Sequence, residues 1–103
     1  MSDYKYKKLY EEEVEKNKKL LSLITEKETW KYKAMIITKR IIWERNIDYI
    51  ELAKKLEAIG IEETNNNIST KINRGSFSFV FFLQILEVLN IKTLEINDYE
   101  NVY

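Results

Sequence analysis

The chain has no cysteine, no histidine and no proline, and it has only two glycines, Gly60 and Gly75, in 103 residues. Without cysteine there is no disulfide framework and no thiolate metal site. With histidine missing as well, most zinc chemistry is excluded, and neither a metal nor another cofactor is expected. The same absences remove the commonest catalytic bases and nucleophiles, and no glycine-rich phosphate loop is present. The Asp and Glu residues sit in lysine-rich helical faces where solvation accounts for them, and adjacent pairs such as Glu62 and Glu63 diverge on a helix, so no enzymatic activity is expected. The longest uninterrupted apolar run, Phe79 to Leu83, is far too short to span a bilayer, and Met1, Ser2 and Asp3 lead into no apolar stretch. A cytoplasmic protein is expected, with neither a membrane nor a small-molecule substrate as its partner.

Leu, Ile, Lys and Glu dominate, and so few breakers imply an all-α fold, a compact bundle of about five helices. A chain of this length makes one domain by the length prior and can bury roughly two thirds of its unfolded surface. Residues 1–28 are expected to carry a charged amphipathic helix for docking or dimerisation, 29–96 the main domain, and 97–103 a frayed tail. The first helix, Tyr6 to Thr25, places Tyr6, Tyr10, Val14, Leu21 and Ile24 at roughly helical spacing. In the second, Thr29 to Arg45, Trp30, Ala34, Ile37 and Ile41 fall on one line with Met35, Ile42 and Trp43 beside it, the wide face of a central strut. Asp48 and Glu51 make a capping box for a third helix, with Ile47 and Leu52 as its staple and Gly60 as its left-handed stop.

Thr64 is the expected cap of a fourth helix in which only Ile68 and Ile72 are apolar, one turn apart. Taking 100° per residue from these anchors, Asn66, Thr70 and Asn73 point away from the core, with Asn67, Lys71 and Arg74 along one flank. Asn pairs bidentately with adenine, Arg and Lys reach guanine or phosphate oxygens, and Thr touches the thymine methyl, which together suit an A·T-leaning site. The same residues also occur on solvated helices of chains rich in Asn, Ile and Lys, as this one is. After Gly75, Ser76 or Ser78 caps a fifth helix to about Asn90. It is apolar nearly all round, with Phe79, Phe82, Leu83, Leu86 and Leu89 expected inward and Val80, Phe81, Ile85 and Val88 covered by the N-terminal helix or a second protomer. The alternation Leu94, Glu95, Ile96 allows a short strand.

Seventeen basic and seventeen acidic residues cancel, which argues against a strong nonspecific polyelectrolyte binder. The charge is nonetheless segregated. Residues 29–47 carry Lys31, Lys33, Lys39, Arg40 and Arg45 against Glu44 alone, and 64–84 carry Lys71 and Arg74 with no acid, whereas 48–63 and 85–103 are net acidic. A locally positive face on a neutral chain is consistent with this.

ELAKKL (51–56), Gly60-Ile61, Ile68-Ser69, INRG (72–75) and FSFVFFLQILEVLNI (77–91) resemble the helix-turn-helix of the Cro/repressor-like superfamily. More specifically, Glu63, Thr64, Asn67, Lys71, Ile72, Arg74, Gly75, Phe77, Ser78, Phe81, Phe82, Leu83 and Gln84 are similar to the E-T-x-x-N, K-I-x-R-G-x-F-S and F-F-L-Q pattern of a small bacterial domain family of unknown function. The resemblance covers about the last two thirds of the chain. It implies a DNA-binding fold with a role in transcription or in mobile elements.

The expectation is therefore a sequence-specific DNA-binding transcriptional regulator whose helix-turn-helix spans 48–59 and 64–74. Asn66, Asn67, Thr70 and Asn73 would read bases of A·T-rich double-stranded DNA, Lys71 and Arg74 hold phosphates, and Lys39, Arg40 and Ser76 support the DNA backbone. A homodimer through residues 6–25 or 79–88 would supply two half-sites. The alternative is a protein-interaction module on the same fold without DNA binding, which the zero net charge favours.

Overall fold

Asp48, Thr64 and Ser78 each turn a side-chain oxygen onto the backbone N–H three residues on, at 2.8, 3.0 and 3.0 Å, and each opens a ten-residue helix. These caps satisfy N–H groups that a helix start otherwise leaves unpaired, each contributing about 1 kcal/mol. The computed structural model describes residues 4–21 and 26–96, with side chains described over 4–16 and 30–96. Among the described residues there are five helices: α1 (Lys7–Leu21), α2 (Glu26–Trp43), α3 (Tyr49–Ala58), α4 (Asn65–Arg74) and α5 (Phe79–Val88). The tail expected over 97–103 lies outside the described residues.

Helix stops repeat one device. At the end of α3, Gly60 sits at φ +85° while its N–H donates to the Glu57 carbonyl and that of Ile61 donates to Leu56, both at 3.0 Å. At the end of α5, Asn90 takes the same place at φ +57°, with Asn90 donating to Glu87 and Ile91 to Leu86. In both, the paired carbonyls are those left over by the last turn, and an isoleucine follows the left-handed residue to pack back on the helix. Gly is the usual choice there because it has no Cβ, and Asn is the side chain that tolerates the conformation best.

The C-terminal half of α2 is the centre of the molecule. Met35, Ile36, Thr38, Lys39, Arg40, Ile41, Ile42 and Trp43 are all buried, so this stretch is enclosed on every side rather than along one stripe. α1 lies on it through Tyr10 and Val14, and the Tyr10 hydroxyl donates to the Ile47 carbonyl at 3.3 Å while its ring meets Tyr49 edge-on. α3 adds Leu52 and Leu56, and α4 adds Ile68 and Ile72. Each of these aliphatic side chains is fully withdrawn from water, contributing about 2 to 3 kcal/mol of transfer free energy.

Three expectations are corrected. α5 turns Phe81 and Ile85 into the core and leaves Phe79 and Val80 at 71% and 62% exposure, with Leu83 also exposed; Leu89, just past its end, is buried as expected, and Phe82 and Leu86 pack half-buried against the core. A helix apolar on all sides carries no periodic contrast, and contact with α3 decides which ridge is buried. Trp30 is 64% exposed, outside the core, with the Lys33 ammonium 4.2 Å from its ring centroid. Leu94 to Ile96 forms no strand: 91–96 is irregular, and the Glu95 carbonyl accepts from the Arg40 guanidinium instead of a neighbouring strand.

Candidate nucleic-acid interface

Ile68 and Ile72 are fully buried and fix α4 from behind, as their spacing implies. Each side of that anchor line is then taken up by a neighbour. On one, Asn73 accepts from the Lys39 ammonium of α2 at 2.6 Å and donates to the Ser69 hydroxyl at 3.2 Å. On the other, the Lys71 ammonium is ion-paired to Glu63 and sits 4.8 Å from the centroid of Phe81 in α5. What remains outward is the first turn, Asn65, Asn66 and Asn67, followed by Thr70 and Arg74, all exposed. Asn66, Thr70 and Arg74 stand at i, i+4 and i+8, a single ridge along the helix. Arg74 makes no hydrogen bond or ion pair with the described residues.

The sequence-derived set thus divides. Asn66, Asn67, Thr70 and Arg74 share the outward face, and Ser76 is exposed just past the Gly75 stop. Lys71 is on the margin, already paired. Asn73 faces α2 rather than solvent, because 100° beyond Ile72 lies the flank that α2 occupies. Lys39 and Arg40 are buried in the domain, away from this face. Asn65 was missed in the sequence, although its place directly after the Thr64 cap puts it in the exposed first turn.

Lys39 belongs to a network spanning four helices. Its ammonium donates to Glu13 of α1 at 2.5 Å as well as to Asn73, and Glu13 also accepts from the Tyr49 hydroxyl of α3 at 3.0 Å. Burial lowers the Lys39 pKa from its ordinary 10.5, and Glu13 opposes that shift by its hydrogen bond and its charge. A base whose folded pKa is depressed carries its full share of stability above the unfolded value and loses it as pH falls through the folded one. Relative to Lys39→Met, the native chain should therefore gain stability as pH is raised through this window toward 10.5. Paired urea titrations across that range check it, and a difference that stays flat or falls contradicts it.

The same elements carry the residues of the E-T-x-x-N and K-I-x-R-G-x-F-S pattern. Thr64 and Ser78 cap helices, Glu63 pairs with Lys71, Ile72 is core, Gly75 adopts φ +69°, and Phe77 stacks on Phe82 at 6.1 Å. Among the described residues Arg74 has no such structural task.

A family model described as a domain of unknown function (DUF6471) matches residues 30–94, well over half of the chain. The chain belongs to that family. No curated protein and no solved structure matches it. The DUF6471 region takes in most of α2, all of α3, α4 and α5, and the irregular segment to residue 94. α1 lies outside it, so Glu13, the carboxylate that neutralises Lys39, is supplied from beyond the family region. No helix among the described residues is long and apolar enough to cross a membrane.

Proposed function

We propose that this chain is a sequence-specific DNA-binding protein of the cytoplasm, a transcriptional regulator in which α3 and α4 act as a helix-turn-helix and α4 enters the major groove. The observation that carries this reading is the Asn66–Thr70–Arg74 ridge, flanked by Asn65 and Asn67, on a helix anchored by two buried isoleucines, packed against α2 and α3 and tied to α2 through Asn73. Amides and a hydroxyl on a rigid helix match the donor and acceptor pattern of A·T base edges, and Arg74 reaches a phosphate or a guanine. A single weakly charged reading helix binds poorly alone, since affinity grows with the number of phosphates neutralised, and a homodimer doubles the count.

The exposed ridge of α5 supports that dimer. Phe79, Val80 and Leu83 lie within one and a half turns and would be covered by the same patch of a second copy. Phe79→Asp with Leu83→Asp should convert the dimer to a folded monomer in sedimentation velocity; a native chain that is monomeric at the concentrations used for DNA binding contradicts this part of the reading. Two half-sites would then lie about 34 Å apart, one helical turn of DNA.

The rival reading, a protein-interaction module, is favoured by a specific observation: Lys39 and Lys71 are both neutralised within the fold, which leaves Arg74 as the unpaired cation of α4 among the described residues. Fluorescence polarisation on A·T-rich and mixed duplexes, at about 50 and about 200 mM salt, separates the two. DNA binding predicts a preference for one duplex and a loss of affinity with salt; no binding at the lower salt favours the rival.

A further inference from the structure

Two neighbouring cations of α2 are buried, and the fold treats them differently. Lys39 receives a carboxylate, Glu13, at 2.5 Å. Arg40, only 8% exposed, receives none: one terminal nitrogen of its guanidinium donates to the Glu95 backbone carbonyl, its Nε is buried without a partner, and no carboxylate among the described residues is within ion-pair distance. A guanidinium stays protonated at every accessible pH and presents five donors in a planar fork. Among the described residues a single carbonyl satisfies one donor and no carboxylate balances the charge, the arrangement that low-polarity surroundings tolerate least.

Arg40 lines a cleft of about 690 Å³ between the end of α2 and the segment 91–95. Lys7 and Arg45 line it too, together with Thr93 and with Glu44 and Glu95, both of which are exposed. Lys7 is held there by the Trp43 ring, 5.1 Å from its ammonium. Cations outnumber acids three to two around a space wide enough for a phosphate group and what it is attached to.

We propose that this cleft binds a phosphate oxyanion, with Arg40 giving the charge-assisted fork contact and Lys7 and Arg45 closing on the outer oxygens. A phosphate supplies the counter-charge that Glu13 supplies next door, and its paired oxygens match the guanidinium geometry. The site is separate from the α4 ridge and does not rest on the DNA reading. The phosphate can be that of a free ion or small molecule, or one of a nucleic-acid backbone, and the test distinguishes them.

Inorganic phosphate titrated into the full chain, with chloride at matched ionic strength as the control, should move the Arg40 Nε–H resonance in a saturable way and raise the Tm saturably. Lys7→Met with Arg45→Ala, which leaves the core intact, should weaken that binding at least about tenfold, in line with the loss of two charged contacts. Arg40→Lys, which keeps the charge and loses the fork, should abolish saturation. If Arg40→Lys does not fold, the double variant still decides the matter. A linear response shared with chloride, or a double variant that binds as tightly as the native chain, overturns the proposal. An A·T-rich duplex that displaces phosphate from Arg40 assigns the site to nucleic-acid backbone; phosphate retained under saturating duplex assigns it to a free phosphate group. A duplex that does not bind at all removes the DNA reading while the phosphate result stands.

Discussion

Gly75→Ala is expected to lower the free energy of unfolding by about 2 to 4 kcal/mol, from a strained backbone plus an overpacked contact. Gly75 ends α4 at φ +69°, and its N–H closes the helix on the Ile72 carbonyl at 3.0 Å. An L-residue there costs about 1 kcal/mol from the crowding of its Cβ. The larger share comes from α2. A Cβ at Gly75 would stand 2.6 Å from the Lys31 carbonyl carbon and 2.9 Å from its Cα, and closer still to the carbonyl oxygen. Those atoms are helix backbone and cannot rotate aside, so α4 must back away from α2, loosening the Asn73 to Lys39 contact on the way. Gly60 is the internal control. Its φ is +85° but nothing lies within 4 Å of its Cβ position, so Gly60→Ala should cost only about 1 kcal/mol. Urea denaturation of both variants checks the pair, and equal losses would contradict the role assigned to the close α2–α4 approach.

The second large effect concerns DNA. Asn66→Ala and Thr70→Ala alter side chains that are exposed and belong to no capping interaction, so folding stability should change by less than about 0.5 kcal/mol. Binding to the preferred duplex should nevertheless fall by about 1 to 3 kcal/mol for Asn66→Ala, on the order of 5- to 150-fold, and the preference over mixed sequence should flatten. Arg74→Ala should behave differently if it holds a phosphate, weakening all duplexes alike and reducing the salt slope by about one. Asn73→Ala should cost stability before it costs binding, because its amide partners Lys39 inside the domain. Polarisation titrations with thermal melts on the same samples separate these patterns. If Asn66→Ala leaves both affinity and preference unchanged, the ridge is not the reading surface.

What was legible in the sequence was the punctuation and the sparse pattern. Asp48, Thr64, Gly60 and Gly75 mark helix ends by chemistry that acts within a few residues, and Ile68 with Ile72 could be read as anchors because nothing else on α4 is apolar. The errors fall where the deciding contact is distant or the pattern has no contrast. Lys39 reads as a surface cation until Glu13, 26 residues away, arrives to neutralise it. Asn73 follows Lys39 inward for the same reason. In α5 nearly every residue is apolar, so nothing local says that Phe81 and Ile85 face in while Phe79 and Leu83 face out.

The most direct test is a backbone amide shift map of the full chain titrated with an A·T-rich duplex. The account predicts perturbations concentrated at Asn65–Asn67, Thr70 and Arg74, saturating together and weakening with salt. Perturbations confined to the Phe79–Leu83 face, or none at a concentration that saturates a known DNA binder of similar charge, would contradict it.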